Sequence, residues 1–163
     1  RQVLDATAAD QDDRVLIVGV GRLLTQLARC CKPVPPDAIQ GFVTRGRGVS
    51  VHRSDCKSFQ NLAQRHSERV VSAEWGHSAA TKEVRPQVFS VDIVVEALDR
   101  PGLLRDISEV FTRDKLNVTG VNTISKGGRA HMRFTIEVVD GSAVQRATLQ
   151  IQEVDGVRSA SRA

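Results

Sequence analysis

The sequence predicts an α+β chain in two parts, a small cysteine-rich α/β module followed by a ferredoxin-like βαββαβ domain. Three observations lead there. All three cysteines lie between Cys30 and Cys56, in CCKPVPPDAIQGFVTRGRGVSVHRSDC, and His52 stands four positions before the last of them. Positive charge is concentrated in the same half. Residues 14–79 hold ten Lys/Arg against four Asp/Glu, a net of +6, whereas residues 80–163 hold twelve against eleven, a net of +1. From Phe89 onward the apolar period switches between 2 and about 3.6 residues, spelling strand, helix, strand, strand, helix, strand.

Residues 1–13 carry one Arg against four Asp, a net of −3, and no periodicity, so they read as a disordered end or linker. The start at Arg1, without Met, suggests a piece of a longer protein. Residues 14–76 form the cysteine-rich module. VLIVGVG (Val15 to Gly21) reads as a short buried strand, and Gly19-x-Gly21 lacks the further glycine or lysine that a phosphate loop requires. Leu23, Leu24, Leu27 and Ala28 recur at helical spacing, predicting a short helix that delivers Cys30 and Cys31 before Pro33, Pro35 and Pro36 stop it. Ile39 to Thr44 and Gly48 to His52 read as strands joined by Arg45-Gly46-Arg47-Gly48, a hairpin that returns His52 toward the thiols. Ser54 or Asp55 is placed to cap a helix through Leu62 and Ala63, with Cys56 in its first turn. Arg69 to Trp75 closes the module as a strand.

Residues 77–86, small and polar up to Pro86, read as a linker, and residues 87–163 as the second domain. Its first strand runs from Phe89 to about Ala97. Asp99-Arg100-Pro101-Gly102 turns into a helix with Leu104, Ile107, Val110 and Phe111 on one face. Asn117 to Ser125 is a strand, Gly127-Gly128 a hairpin turn, and Met132, Phe134, Ile136 and Val138 mark the buried face of the next strand. A second helix begins at Asp140-Gly141-Ser142, with Val144, Ala147, Ile151 and Val154 inward, and a last strand follows Gly156.

Hydrophobic content of 40% and charged content of 26% are those of a soluble globular protein, with no run long enough for a membrane span and no leader. An odd set of clustered cysteines suits a reducing cytoplasm better than a disulfide framework. Three thiols and an imidazole complete a tetrahedral donor set for zinc, although adjacent cysteines depart from the C-x2-C of fingers. The same residues also fit a plainer description, as small buried hydrophobes beside a strand histidine. A metal would add stability that so small a core lacks, about 10–16 kcal/mol in finger peptides.

LARCCKPVPPDAIQGFVTRGRGVSVHRSDC resembles the cysteine-rich module near the C-terminus of the long RelA/SpoT stringent-response enzymes. VDIVVEALDRPGLLRDISEVF, with NVTGVN after it, resembles the ACT domain that follows there. The order CC, GRGVSVHR-x-DC, DRPGLL is specific, and VGVG and TRGRGVSVHR are closer to the RelA branch, the GTP pyrophosphokinases. The resemblance implies a cytoplasmic regulatory region without catalysis of its own. In that family, N-terminal synthetase and hydrolase domains move pyrophosphate from ATP to GTP or GDP. The C-terminal modules bind the ribosome with its rRNA and deacylated tRNA, and restrain those catalytic domains. Carried onto matching positions, Cys30, Cys31, His52 and Cys56 hold zinc and Asp55 supports them. The histidine that many relatives place shortly before the double cysteine is missing, since Thr25-Gln26 stands there.

Lys32, Arg45, Arg47 and Arg53 then become candidates for phosphate contacts with rRNA, where a guanidinium fork is effective. The turn Asp99, Arg100, Pro101, Gly102, Leu103 and Leu104 lies where ACT domains hold amino acids, with Asn117, Val118 and Asn122 as the opposite wall across a paired homodimer. The alternative function is therefore an amino-acid-sensing ACT dimer without direct RNA binding. A thiol enzyme is disfavoured, because neither C-x-x-C nor a Ser/His/Asp order is present.

Overall fold

The computed structural model describes residues 15–17, 24–46, 48–76 and 88–163. The acidic start, Gly19-x-Gly21, Arg47, His77 and the 77–86 linker lie outside the described residues. The chain divides into two units, Arg1–Arg85 and Pro86–Ala163.

In the first unit the described strands are β1 (Val15–Ile17), β2 (Thr25–Leu27), β3 (Ile39–Thr44), β4 (Gly48–Arg53) and β5 (Val70–Trp75). They form one sheet in the order β1-β5-β3-β4-β2, antiparallel except for the parallel pair β2 and β4. Helix α1 (Lys57–Arg65) is followed by a short 3-10 turn, Ser67–Arg69. Val15, Ile17, Ile39, Val49, Val51 and Ala73 make one apolar cluster. Ala28, Cys31, Phe42, Cys56 and Phe59 make a second. Pairing of Phe42 with Ser50 and of Gln40 with His52 puts all four on one face of the β3–β4 hairpin, the side that shares the second cluster.

Two expectations change here. The segment around Leu24 to Ala28 is a strand rather than a helix. Val49 and Ala28 donate their backbone N–H groups to Leu24 and Val51 carbonyls at 2.8 Å, so the segment spends its hydrogen bonds on the free edge of β4. So short an apolar run has no period of its own to enforce, and tertiary pairing overrides propensity. Gly48 makes the junction possible. Its φ is +78°, and a Cβ there would lie 2.3 Å from the Leu24 carbonyl oxygen. Second, Cys56 itself is the N-cap of α1 instead of a member of its first turn.

The second unit contains β6 (Phe89–Leu98), α2 (Leu103–Arg113), β7 (Asn117–Lys126), β8 (Arg129–Val138), α3 (Gly141–Gln152) and β9 (Val157–Arg162). Its antiparallel sheet has the order β7-β8-β6-β9, the split βαββαβ topology the periodicity predicts. Odd positions of β6 and even positions of β8 turn inward. Ile93, Phe134, Ile136, Ile107, Phe111 and Ile151 are fully buried. Asp140 caps α3, accepting from the Ser142 and Ala143 amides at 2.9 and 3.4 Å.

Candidate metal centre

Cys30 and Cys31 leave the end of β2 in a single turn, closed by the Lys32 amide donating to the Ala28 carbonyl at 3.1 Å. His52 comes from β4, and Cys56 from the start of α1. Three elements thus deliver four donors to one point. Cys30 Sγ lies 3.4 Å from His52 Nδ1, 3.6 Å from Cys56 Sγ and 4.0 Å from Cys31 Sγ. Cys31 Sγ lies 3.9 Å from His52 Nδ1. The four ligand atoms fall within 4.8 Å of one another, close enough to hold one metal ion.

Groups around the donors fix them in place. Ser50 Oγ is 2.9 Å from His52 Nε2, so when Nδ1 faces the sulfurs, Nε2–H donates to the hydroxyl. Phe59 of α1 packs against the imidazole with ring centroids 5.4 Å apart. The Arg53 amide donates to Cys31 Sγ at 3.3 Å. Ser50 escapes a search for Cys and His, but its place two residues from His52 on a strand puts both on one face.

Burial holds the His52 pKa below the ordinary histidine value, keeping the imidazole neutral and able to ligate. Burial pushes the Cys31 thiol up to about 12. Burial, then the neighbouring Cys56 thiol, raises Cys30. For Cys56 burial acts upward, but the Phe59 amide, the Cys30 and Cys31 side chains and the Ser58 amide outweigh it and lower the pKa.

The basic residues expected around the thiols separate. Arg45 is exposed in the β3–β4 turn, whereas His52 is near the opposite end of β4, about 13 Å away at strand rise. Strand alternation turns the Arg53 side chain to the other face from His52, where it is only 15% exposed and its Nε donates to Asp55 Oδ1 at 3.1 Å. Asp55, at 77% exposure, thus meets Arg53. Lys32 is half-buried beside Cys31 with a φ of 46°. Arg29 and Lys57, not singled out from the sequence, are exposed next to Cys30 and Cys56. Adjacency to the cysteines was the available signal. His66 lies past the end of α1, 3.8 Å from Glu68.

In the second unit, the Asp99 amide donates to the Gly128 carbonyl at 2.9 Å, and Gly102 takes φ +79° as the N-cap of α2. Arg100 donates to the Asp155 carbonyl at 2.9 Å and to Asp106 at 2.8 Å, and its guanidinium helps hold the Asp106 carboxyl below the ordinary range. Pro101 is exposed, Leu103 is buried and Leu104 is 49% exposed. Asn117 donates to Glu137 at 2.8 Å, and Asn122 pairs with Arg133, both on the open face of the sheet. Val118 pairs with Ile136 on the helix-covered face. One chain therefore does not gather Asn117 and Asn122 with the turn at Gly102.

Fold and site together define a class: a Cys/His module whose four donors are close enough to hold one metal ion, followed by a βαββαβ domain. Residues 15–76 match the RelA/SpoT RIS domain, and residues 85–162 match the ACT domain. A match to the RIS domain followed by a match to the ACT domain is consistent with a RelA/SpoT C-terminal region. A GTP pyrophosphokinase of Escherichia coli strain K12 is 40% identical over 151 residues, covering 91% of this chain and 20% of that protein. A bifunctional (p)ppGpp synthase/hydrolase RelA of Mycobacterium tuberculosis is 41% identical over 147 residues, covering 90% of this chain and 19% of its own length. The chain therefore spans about one fifth of these relatives. The ACT domain from the GTP pyrophosphokinase of Chlorobium tepidum superposes with a TM-score of 0.44 at 19% identity, covering 47% of this chain and all of that one.

Proposed function

We propose that this chain is the regulatory C-terminal part of a (p)ppGpp synthetase, a GTP pyrophosphokinase, and that its RIS domain is fastened by zinc to dock on ribosomal RNA during the stringent response. The convergence of Cys30, Cys31, His52 and Cys56 carries this reading. Ligand bonds of about 2.3 Å to sulfur give tetrahedral sulfur–sulfur edges near 3.8 Å, and the two sulfur–sulfur edges at Cys30 are 3.6 and 4.0 Å, with all four donor atoms within 4.8 Å of one another. A neutral imidazole oriented by Ser50 and three sulfurs make a donor set that suits zinc. Bound there, zinc would cross-link β2, β4 and the start of α1. Arg29, Lys32 and Lys57 beside the cysteines and Arg45 at the hairpin tip then offer charge to phosphates, and the docked state governs the catalytic domains of the parent enzyme in the cytoplasm.

The test is co-sedimentation with ribosomes that carry deacylated tRNA, using wild type and Cys56→Ser, alongside metal analysis. One zinc per chain and salt-sensitive sedimentation are expected for wild type, and loss of both for the variant. Wild type that binds zinc but never sediments, or sediments equally at all salt concentrations, would count against RNA docking. A second reading, amino-acid sensing by paired ACT domains, draws on the exposed Leu104 and Val121, at 49% and 47%. Titration with branched-chain amino acids that gives neither heat nor a melting shift removes it.

A further inference from the structure

The four donors are not equally sheltered. Cys31, Cys56 and His52 are buried, at 5%, 6% and 6% exposure, while Cys30 is exposed in the turn after β2. Its sulfur lies 3.6 Å from Cys56 Sγ, at van der Waals contact and nearer than its chain neighbour Cys31 at 4.0 Å. We propose that Cys30 is an oxidation site, oxidised by hydrogen peroxide, and that Cys56 resolves it as an intramolecular disulfide which opens the metal centre.

The chemistry balances without any further reactant. The Cys30 sulfur attacks peroxide, the O–O bond breaks, water leaves, and sulfur gives up two electrons to become a sulfenic acid. The Cys56 sulfur then attacks the Cys30 sulfur. An S–S bond forms, the S–O bond breaks, and the departing oxygen leaves as a second water with the Cys56 proton. When metal holds the sulfurs as thiolates, solvent supplies the protons instead. To bond, the sulfurs close from contact to about 2.05 Å, a movement that falls to the exposed turn carrying Cys30. Cys31 is a poorer partner. Its sulfur is the farther one, at 4.0 Å, and bonding to its chain neighbour would require a cramped ring. The disulfide removes two of four donors, and Cys31 with His52 alone hold an ion poorly.

The disulfide rests on the sulfur geometry, and the metal release on the zinc reading above. The 163-residue chain, purified reduced, is treated anaerobically with a small excess of peroxide, as isolated and after chelator treatment. Intact mass, peptide mapping and filtrate metal are read. Expected are a loss of two hydrogens, a crosslink mainly between Cys30 and Cys56, release of one metal per loaded chain, and reversal by dithiothreitol. In urea the same reduced chain should give a mixture of all three pairings, which makes the native preference readable without any variant. Cys56→Ser should leave Cys30 trapped by dimedone and uncrosslinked. A native crosslink at Cys30–Cys31, a gain of oxygen without a crosslink, or an unchanged mass each overturns the proposal. A chain that never holds metal yet forms the Cys30–Cys56 bond overturns the zinc reading and the release step, leaving the oxidation site standing.

Discussion

Ser50 shows what a single hydroxyl contributes to a centre it does not ligate. His52 faces the sulfurs with Nδ1, and the 2.9 Å contact to Ser50 Oγ engages its other nitrogen and so helps orient the ring. Supporting groups of this kind are worth about 10–100-fold in metal affinity. Ser50→Ala is therefore expected to weaken zinc binding by about that factor in competition with a chromogenic chelator, while Ser50→Thr keeps the hydroxyl and most of the affinity. Equal affinity in all three proteins would remove Ser50 from the site. The donors themselves were legible in the sequence, because cysteine and histidine are few and clustered. Ser50 was not, because serine on a half-buried strand has many ordinary explanations. Arg53 was legible as a neighbour and misleading as a side chain, since its backbone amide meets Cys31 while its guanidinium meets Asp55.

At the scale of elements, the ACT half was readable almost strand by strand, because β8 alternates over all ten of its residues and the ten-residue β6 is long and largely apolar, which outvotes any local ambiguity. The three residues of β2 had no such vote, and only the open edge of β4 decides their conformation. Caps lie between these cases, since Asp140-Gly141-Ser142 announces a helix start in plain chemistry. The Ser142 hydroxyl, then the Ala143 and Ser142 amides, hold the Asp140 carboxyl below its ordinary 3.8 against the opposing effect of burial. A pKa lowered by folding contributes stability above the unfolded value, and this is lost as pH falls through the folded one. Asp140→Ala should thus cost about 1 kcal/mol near neutral pH, and less in acid below about pH 3.8. Asp140→Asn should keep the cap but lose the pH dependence. Denaturant titrations of the three chains at pH 6 and pH 3 measure this, and a penalty for Asp140→Ala that grows in acid contradicts the sign.

For the whole molecule, the two units differ in what holds them. The ACT unit buries six large side chains completely between its sheet and its helices. Among the described residues, the RIS unit has its buried apolar side chains in two small clusters, and two of the five buried residues in the second are cysteines of the centre. Removing metal should therefore loosen the RIS unit first, because thiols left without an ion give that cluster little cohesion. The chain carries its own reporter. Trp75 is the one tryptophan in a sequence without tyrosine, it lies on β5 of the RIS unit, and its indole N–H donates to the Asp37 carbonyl at 2.9 Å. Chelation should shift Trp75 emission to the red and abolish a first thermal transition, while a second transition seen by circular dichroism, that of the ACT unit, stays where it was. Returning zinc should restore both signals, which a damaged chain would not allow. If Trp75 emission holds steady with the metal demonstrably removed, the apolar clusters suffice and the centre has some task other than stability. If both transitions move together, the units are coupled in a way that their separate cores do not require.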